Sequence, residues 1–279
     1  MSARRPDPLF PPAVLPAERQ PIVLVHGLLM SGRYMLSLAQ RLAAWYPVFV
    51  PDLPGWGHSG KPPRALSVPE LADALVAWLD VVGIQRAILV ANSFGCQVVA
   101  DVAARYPDRV ALMVLLGPTV DPEVRSFWRI AGRWLLDVPL EPSSLWFITA
   151  RDMLDMGLPR FVGSIRAMLA DHIEQKLPAI GVPTLVVRGQ HDPTVTARWA
   201  ARAAGLLRCG RMAEIAGAPH AINYNADAVV ADLVHAFVDA WQPLAGRAGP
   251  PPVEHAPIGR ATMGRVTMGR VTMGRANAG

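Results

Sequence analysis

The sequence predicts an α/β fold: a doubly wound, mostly parallel sheet with helices on both faces and an inserted helical cap. Three observations carry this expectation. Short continuous apolar runs recur along the chain, as buried parallel strands require. Patterns of helical period lie between them, and alternating strands and helices build right-handed βαβ units. One long helical-looking stretch, residues 121–178, breaks that alternation.

The elements follow in chain order. Residues 1–20 are rich in proline and read as extended or loosely ordered. "PIVLVHG" (21–27) is the first strand and "YPVFVPDLPG" (46–55) contains the second. Residues 67–82 form the clearest helix: Ser67 and Glu70 make a capping box, and Leu71, Ala74, Leu75, Trp78, Leu79 and Val82 share an apolar face. "RAILVAN" (86–92) is a strand, followed by a helix over about 95–105 and a strand in "VALMVLLG" (110–117). Beyond the insertion come "PTLVVRG" (183–189), a helix over 195–207, a weaker strand in "RMAEIAG" (211–217) and a helix over 226–241. The core therefore comprises 21–120 and 179–242, with 121–178 as a helical cap.

Bulk properties narrow the function classes. Of the net charge of +5, most lies in residues 243–279, where five arginines face Glu254. The body is then nearly neutral and offers no basic stripe for nucleic acid. That terminal stretch repeats a five-residue unit too short for a solenoid and reads as a disordered tail. Two cysteines, Cys96 and Cys209, make no disulfide framework and have no metal-ligand spacing, so no metal is expected and reduced thiols in a cytoplasmic protein are the simple reading. Prolines break the stretch after Arg4 and Arg5 as a secretion signal, and no run reaches the ~18 apolar residues of a membrane span.

Ligands of parallel sheets bind beyond the carboxyl ends of the strands, so those ends are where chemistry is sought. The third strand runs straight into Ala91-Asn92-Ser93-Phe94-Gly95 and then a helix, the setting of a nucleophile elbow, with alanine supplying the small residue that glycine supplies in G-x-S-x-G. A serine hydroxyl needs a histidine to take its proton and a carboxylate to orient that histidine. "QHDP" places Asp192 after the fifth strand and "APHAINY" places His220 after the sixth, in the order Ser, Asp, His. His191 precedes the acid and is the less suitable base.

With these motifs the chain resembles the α/β-hydrolase superfamily over about 21–242. "LVHGLLMSG" (24–32) is similar to the family's His-Gly oxyanion loop, and "VPDLPGWGHSGKP" (50–62) to its D-x-P-G-x-G-x-S segment. The resemblance implies catalytic Ser93, Asp192 and His220, no cofactor, and an oxyanion hole from the backbone N–H groups of Phe94 and Leu28, with Leu29 the other candidate for the second donor. It assigns His26, Asp52 and His58 to loop orientation. Many relatives have two antiparallel strands before the His-Gly strand; the short proline-rich start here leaves a six-stranded sheet.

The resemblance implies a serine hydrolase acting on an ester or thioester of a small, largely apolar molecule. Trp128, Trp134, Trp146, Phe147 and Met153 of the insertion are the expected pocket residues. Asn92-Ser93 also resembles the elbow of meta-cleavage-product hydrolases, which cut carbon–carbon bonds, although "HGLLMSG" and "PHAINYN" depart from that group's pattern. Cofactor-free haloperoxidase or perhydrolase activity, acyl transfer, and a non-catalytic receptor built on the same fold are further alternatives. The sequence does not specify an oligomeric state.

Overall fold

A computed structural model describes residues 19–241. The expectations for the proline-rich start up to residue 18 and for the tail from 242 lie outside the described residues. Six strands form one sheet: β1 (Ile22–Val25), β2 (Val48–Phe49), β3 (Ala87–Asn92), β4 (Val110–Leu116), β5 (Thr184–Gly189) and β6 (Gly210–Ile215). Their order is β2-β1-β3-β4-β5-β6, and every neighbouring pair is parallel. The order reverses between β1 and β3, which creates a crevice at their carboxyl ends.

Ten helices accompany the sheet among the described residues: α1 (Leu36–Leu42), α2 (Val68–Val82), α3 (Phe94–Arg105), α4 (Phe127–Asp137), α5 (Ser143–Met156), α6 (Leu158–Ala170), α7 (Ile173–Lys176), α8 (Ala197–Leu206), α9 (Ile222–Asn225) and α10 (Asp227–Trp241). Strand residues alternate between two apolar layers. Val23, Val25, Leu89, Ala91, Met113 and Leu115 pack with α2, α3 and α8 on one face. Ile22, Leu24, Ile88, Val90, Val114 and Leu116 pack with α1 and α10 on the other. Burial on both sides explains why the strands read as unbroken apolar runs.

The expected start of α2 is present in detail: the Ser67 hydroxyl receives the Glu70 N–H, Glu70 receives the Ser67 N–H, and Gly83 closes the helix in the left-handed region at φ 77°. The second strand is far shorter than its apolar segment suggests, because prolines at 47, 51 and 54 remove ladder donors. Helices α4, α5 and α6 occupy the insertion between β4 and β5. No described helix is long and apolar enough to cross a membrane.

Candidate active site

Ser93 stands between β3 and α3 with φ 54° and ψ −119°, the one non-glycine residue at positive φ among the described residues. Such a conformation is costly for an L-residue and persists only where its surroundings enforce it. Two features enforce it here. The Ser93 N–H donates to Leu116 O at 2.9 Å. A Cβ added to Gly95 would lie 2.5 Å from His26 O and 2.7 Å from Val25 O, so the start of α3 can press against β1 only with glycine there. The turn lifts Ser93 into the wall of a cavity of about 290 Å3.

His220, in the loop after β6, lines the same cavity. Its Nδ1 bonds Asp192 Oδ2 at 2.7 Å, and Asp192 Oδ1 receives the N–H groups of Thr194 (2.7 Å) and Val195 (2.9 Å). The carboxylate is thereby fixed, and it fixes the imidazole so that Nε2, buried and without a hydrogen-bond partner, faces away from it. Gly117 after β4 makes room for this pair: a Cβ there would lie 3.0 Å from His220 Cε1 and 3.4 Å from Asp192 Oδ2. His191 is exposed and its N–H bonds Ala218 O, apart from the cavity wall.

The loop after β1 supplies the next wall. Leu28 and Leu29 line the cavity, while Phe94 is buried at the first position of α3, where the helix provides no carbonyl for its N–H. Gly27 N donates to Tyr34 Oη at 2.8 Å, Tyr34 Oη donates to Asn92 Oδ1 at 2.7 Å, and Asn92 Nδ2 donates to Leu116 O at 3.0 Å. His26 Nε2 accepts the Leu53 N–H at 2.9 Å, and burial holds its pKa below the ordinary value, in keeping with a neutral acceptor. Trp56 Nε1 donates to Leu28 O, and Asp52 gathers the N–H groups of Gly32 and His58. His58 itself is exposed.

The inserted helices reach both loops through buried acids that sequence reasoning missed. Asp152 of α5 accepts the N–H (2.7 Å) and hydroxyl (2.8 Å) of Ser31. Asp137 at the end of α4 accepts the His220 N–H at 3.3 Å, and Glu141 accepts the Ala221 N–H at 2.7 Å and Asn225 Nδ2 at 2.8 Å. Asp137 and Glu141 also line the cavity. Burial raises the pKa of both, that of Glu141 to about 7, against the bond it accepts from Ala221. Burial alone would lower the pKa of His220; the charge and hydrogen bond of Asp192, then the charges of Asp137 and Glu141, carry it up to about 9.

Of the five pocket residues expected from the insertion, Trp134, Trp146 and Met153 line the cavity. Trp128 and Phe147 do not: they are 81% and 77% exposed and lie on the outer sides of α4 and α5, which is a correction to the sequence reading. The reason is helical phase. Ile130 and Asp137 mark the buried side of α4, and Leu145, Asp152 and Met156 that of α5, roughly opposite the two aromatics.

Residues 20–139 match the family model described as alpha/beta hydrolase fold. A relative named "Putative non-heme haloperoxidase" from Mycobacterium phage D29 is 35% identical over 63% of this chain and 72% of its own length. The chain belongs to the alpha/beta hydrolase fold family. Lipase LipV of Mycobacterium tuberculosis is 29% identical over 60% of this chain and 72% of its own. Abhydrolase domain-containing protein abhd-5.2 of Caenorhabditis elegans is 35% identical over 38% of this chain, a stretch that spans only 26% of that relative. An esterase structure from Thermogutta terrifontis (malate bound) shares the fold with a TM-score of 0.68 and 22% identity, covering 80% of this chain and 90% of that one. This member of the family is thus an alpha/beta hydrolase with esterase- and lipase-like relatives.

Proposed function

We propose that the chain is a cofactor-independent serine hydrolase that cleaves an ester or thioester of a small, largely apolar substrate through an acyl-enzyme. The observation that carries this reading is the convergence, on one apolar cavity, of a serine held at φ 54° and a histidine bonded to a buried carboxylate at 2.7 Å. His220 Nε2 takes the Ser93 proton as the hydroxyl oxygen attacks the carbonyl carbon. The backbone N–H groups of Phe94 and Leu28 stabilise the oxygen that becomes negative. His220 then passes the proton to the leaving alcohol or thiol, and a water deprotonated by His220 releases the acyl group in the second half-reaction.

The cavity walls bear on the substrate. Leu28, Leu29, Leu145, Trp134, Trp146 and Met153 suit an apolar acyl or alkyl group. Asp137 and Glu141 stand on the same wall, so above about pH 7, where Glu141 ionises, a substrate carrying its own carboxylate meets like charge there. This disfavours the carbon–carbon hydrolase alternative, whose dienoate substrates are anionic. Asn92, the residue that suggested it, has both ends of its amide occupied by Tyr34 and Leu116.

The test is labelling with a fluorophosphonate probe beside turnover of neutral p-nitrophenyl esters. Wild type is expected to label and turn over, and Ser93→Ala to lose labelling and at least about 10³-fold of kcat. A folded wild-type protein that neither labels nor hydrolyses any ester overturns the reaction. Comparable kcat/KM for a neutral ester and its terminal-carboxylate analogue would remove the role given to the acidic wall.

A further inference from the structure

All the large apolar side chains that stand exposed among the described residues lie in 127–162, except Val81. They are not scattered there. On α4, Trp128 and Leu135 (74% exposed) are seven residues apart and share one side of the helix. On α5, Phe147 and Leu154 (85% exposed) have the same spacing, and on α6 Leu158 and Val162 are four apart. The turn between α4 and α5 adds Val138 and Leu140, and the Trp146 indole ties α5 to it by donating to Val138 O at 3.0 Å.

A helix lying on a soluble protein buries one apolar stripe and turns charge to water. Helix α8 does so here, with Arg198 and Arg202 exposed, as does α10, with Asp232 and Asp239. Helices α4 and α5 and the first turns of α6 instead turn large apolar side chains outward, while Asp137 and Asp152 face inward and Arg166 stands exposed further along α6. The exposed charges within 127–162 are Arg129, Arg151 and Asp155, and Asp155 is paired with Lys61 at 2.6 Å. Proteins that work freely in water rarely leave apolar surface beyond roughly a few hundred Å2, so this face has a partner.

The cavity identifies it. Val138, Trp146 and Ala150 belong both to the exposed face and to the cavity wall, so the chamber holding Ser93 and His220 opens through the apolar surface. A protein seated there would stop the entrance. A lipid bilayer would instead deliver an amphiphile's chain from one apolar medium to another without crossing water. Exposed aromatic rings and the exposed arginines Arg129 and Arg151 on the same helices also suit the level of lipid headgroups.

We propose that the outer face of α4, α5 and the start of α6 docks on a lipid bilayer and that the substrate is an amphiphilic ester drawn from it. The second clause rests on the ester-hydrolase reading above; docking does not. Flotation of the full-length chain with phosphatidylcholine vesicles containing phosphatidylglycerol tests it, beside turnover of a water-soluble short-chain p-nitrophenyl ester. Wild type is expected to float, and two separate double variants, Trp128→Ser with Leu154→Ser and Leu135→Ser with Phe147→Ser, to lose roughly tenfold in bound fraction. Because these side chains point away from the chamber, soluble-ester turnover in both should stay within about twofold, which also reports intact folding. Three outcomes overturn docking: wild type left in the aqueous phase, variants that float as wild type does, or a dimer dispersed by the variants without vesicle binding. Flotation that depends on these residues, with no ester turnover by wild type, supports the docking face and overturns the reaction.

Discussion

A general base must be neutral before it can accept a proton, and His220 is held charged by three carboxyl groups: Asp192 bonded at its Nδ1, and Asp137 and Glu141 behind its loop. With its pKa at about 9, kcat/KM for a neutral ester should climb as pH rises toward 9 and level beyond it. Asp137→Asn and Glu141→Gln each remove negative charge from beside the ring, so each should move this limb to lower pH while keeping an acceptor for the backbone N–H groups. A limb that stays in place in both variants would show that these acids do not govern the base. Gly117 sets a second constraint. Gly117→Ala puts a methyl group about 3.0 Å from the imidazole at a backbone φ of 57°. Ester turnover should fall at least about tenfold, with a melting temperature lowered by several degrees.

At the level of elements, the insertion braces the catalytic loops as well as roofing the cavity. Asp152 on α5 holds both polar groups of Ser31, four residues beyond Gly27. Asp152→Ala frees the loop that carries Leu28 N–H; kcat should drop by about 10- to 100-fold with a smaller change in KM. A raised KM with kcat unchanged would assign Asp152 to substrate binding instead. These contacts also mark how far the sequence could be read. The strand ends bearing Ser93, Asp192 and His220 were legible because doubly buried strands leave unbroken apolar runs, and the capping box announced α2. Helix α1 gave no such notice: it has seven residues and no capping side chain at Met35. Asp137, Glu141 and Asp152 were hidden because an acid on a helical pattern reads as its solvated side, whereas here each is turned inward onto a backbone N–H. Trp128 and Phe147 failed for the converse reason: large apolar residues lie on both the inward and the outward sides of α4 and α5, so hydrophobicity alone cannot say which of them look in.

For the whole molecule, the acids gathered between the insertion and the histidine loop set the pH dependence of stability. Burial raises Glu141 from its ordinary 4.5 to about 7, so the folded state holds that proton more tightly than the unfolded chain. Its contribution is therefore complete below 4.5 and is lost as pH rises through about 7. His220, raised from 6.5 to about 9, adds stability that is complete below 6.5 and lost as pH rises through 9. The two windows adjoin, and Asp137, also raised by burial, acts in the same direction as Glu141. Carboxylates with lowered pKa, such as Asp227 bonded to Arg41 and Ser37, act oppositely and only on acidification below the carboxylate range. The melting temperature should consequently decline from about pH 5 to pH 9, and Glu141→Gln should flatten its first half by removing the group that ionises there. Thermal scans of the two proteins in matched low-salt buffers measure this directly. A wild-type melting temperature that rises across pH 5 to 7, or a Glu141→Gln curve parallel to it, would mean that the buried acids are solvated well enough to ionise at little cost.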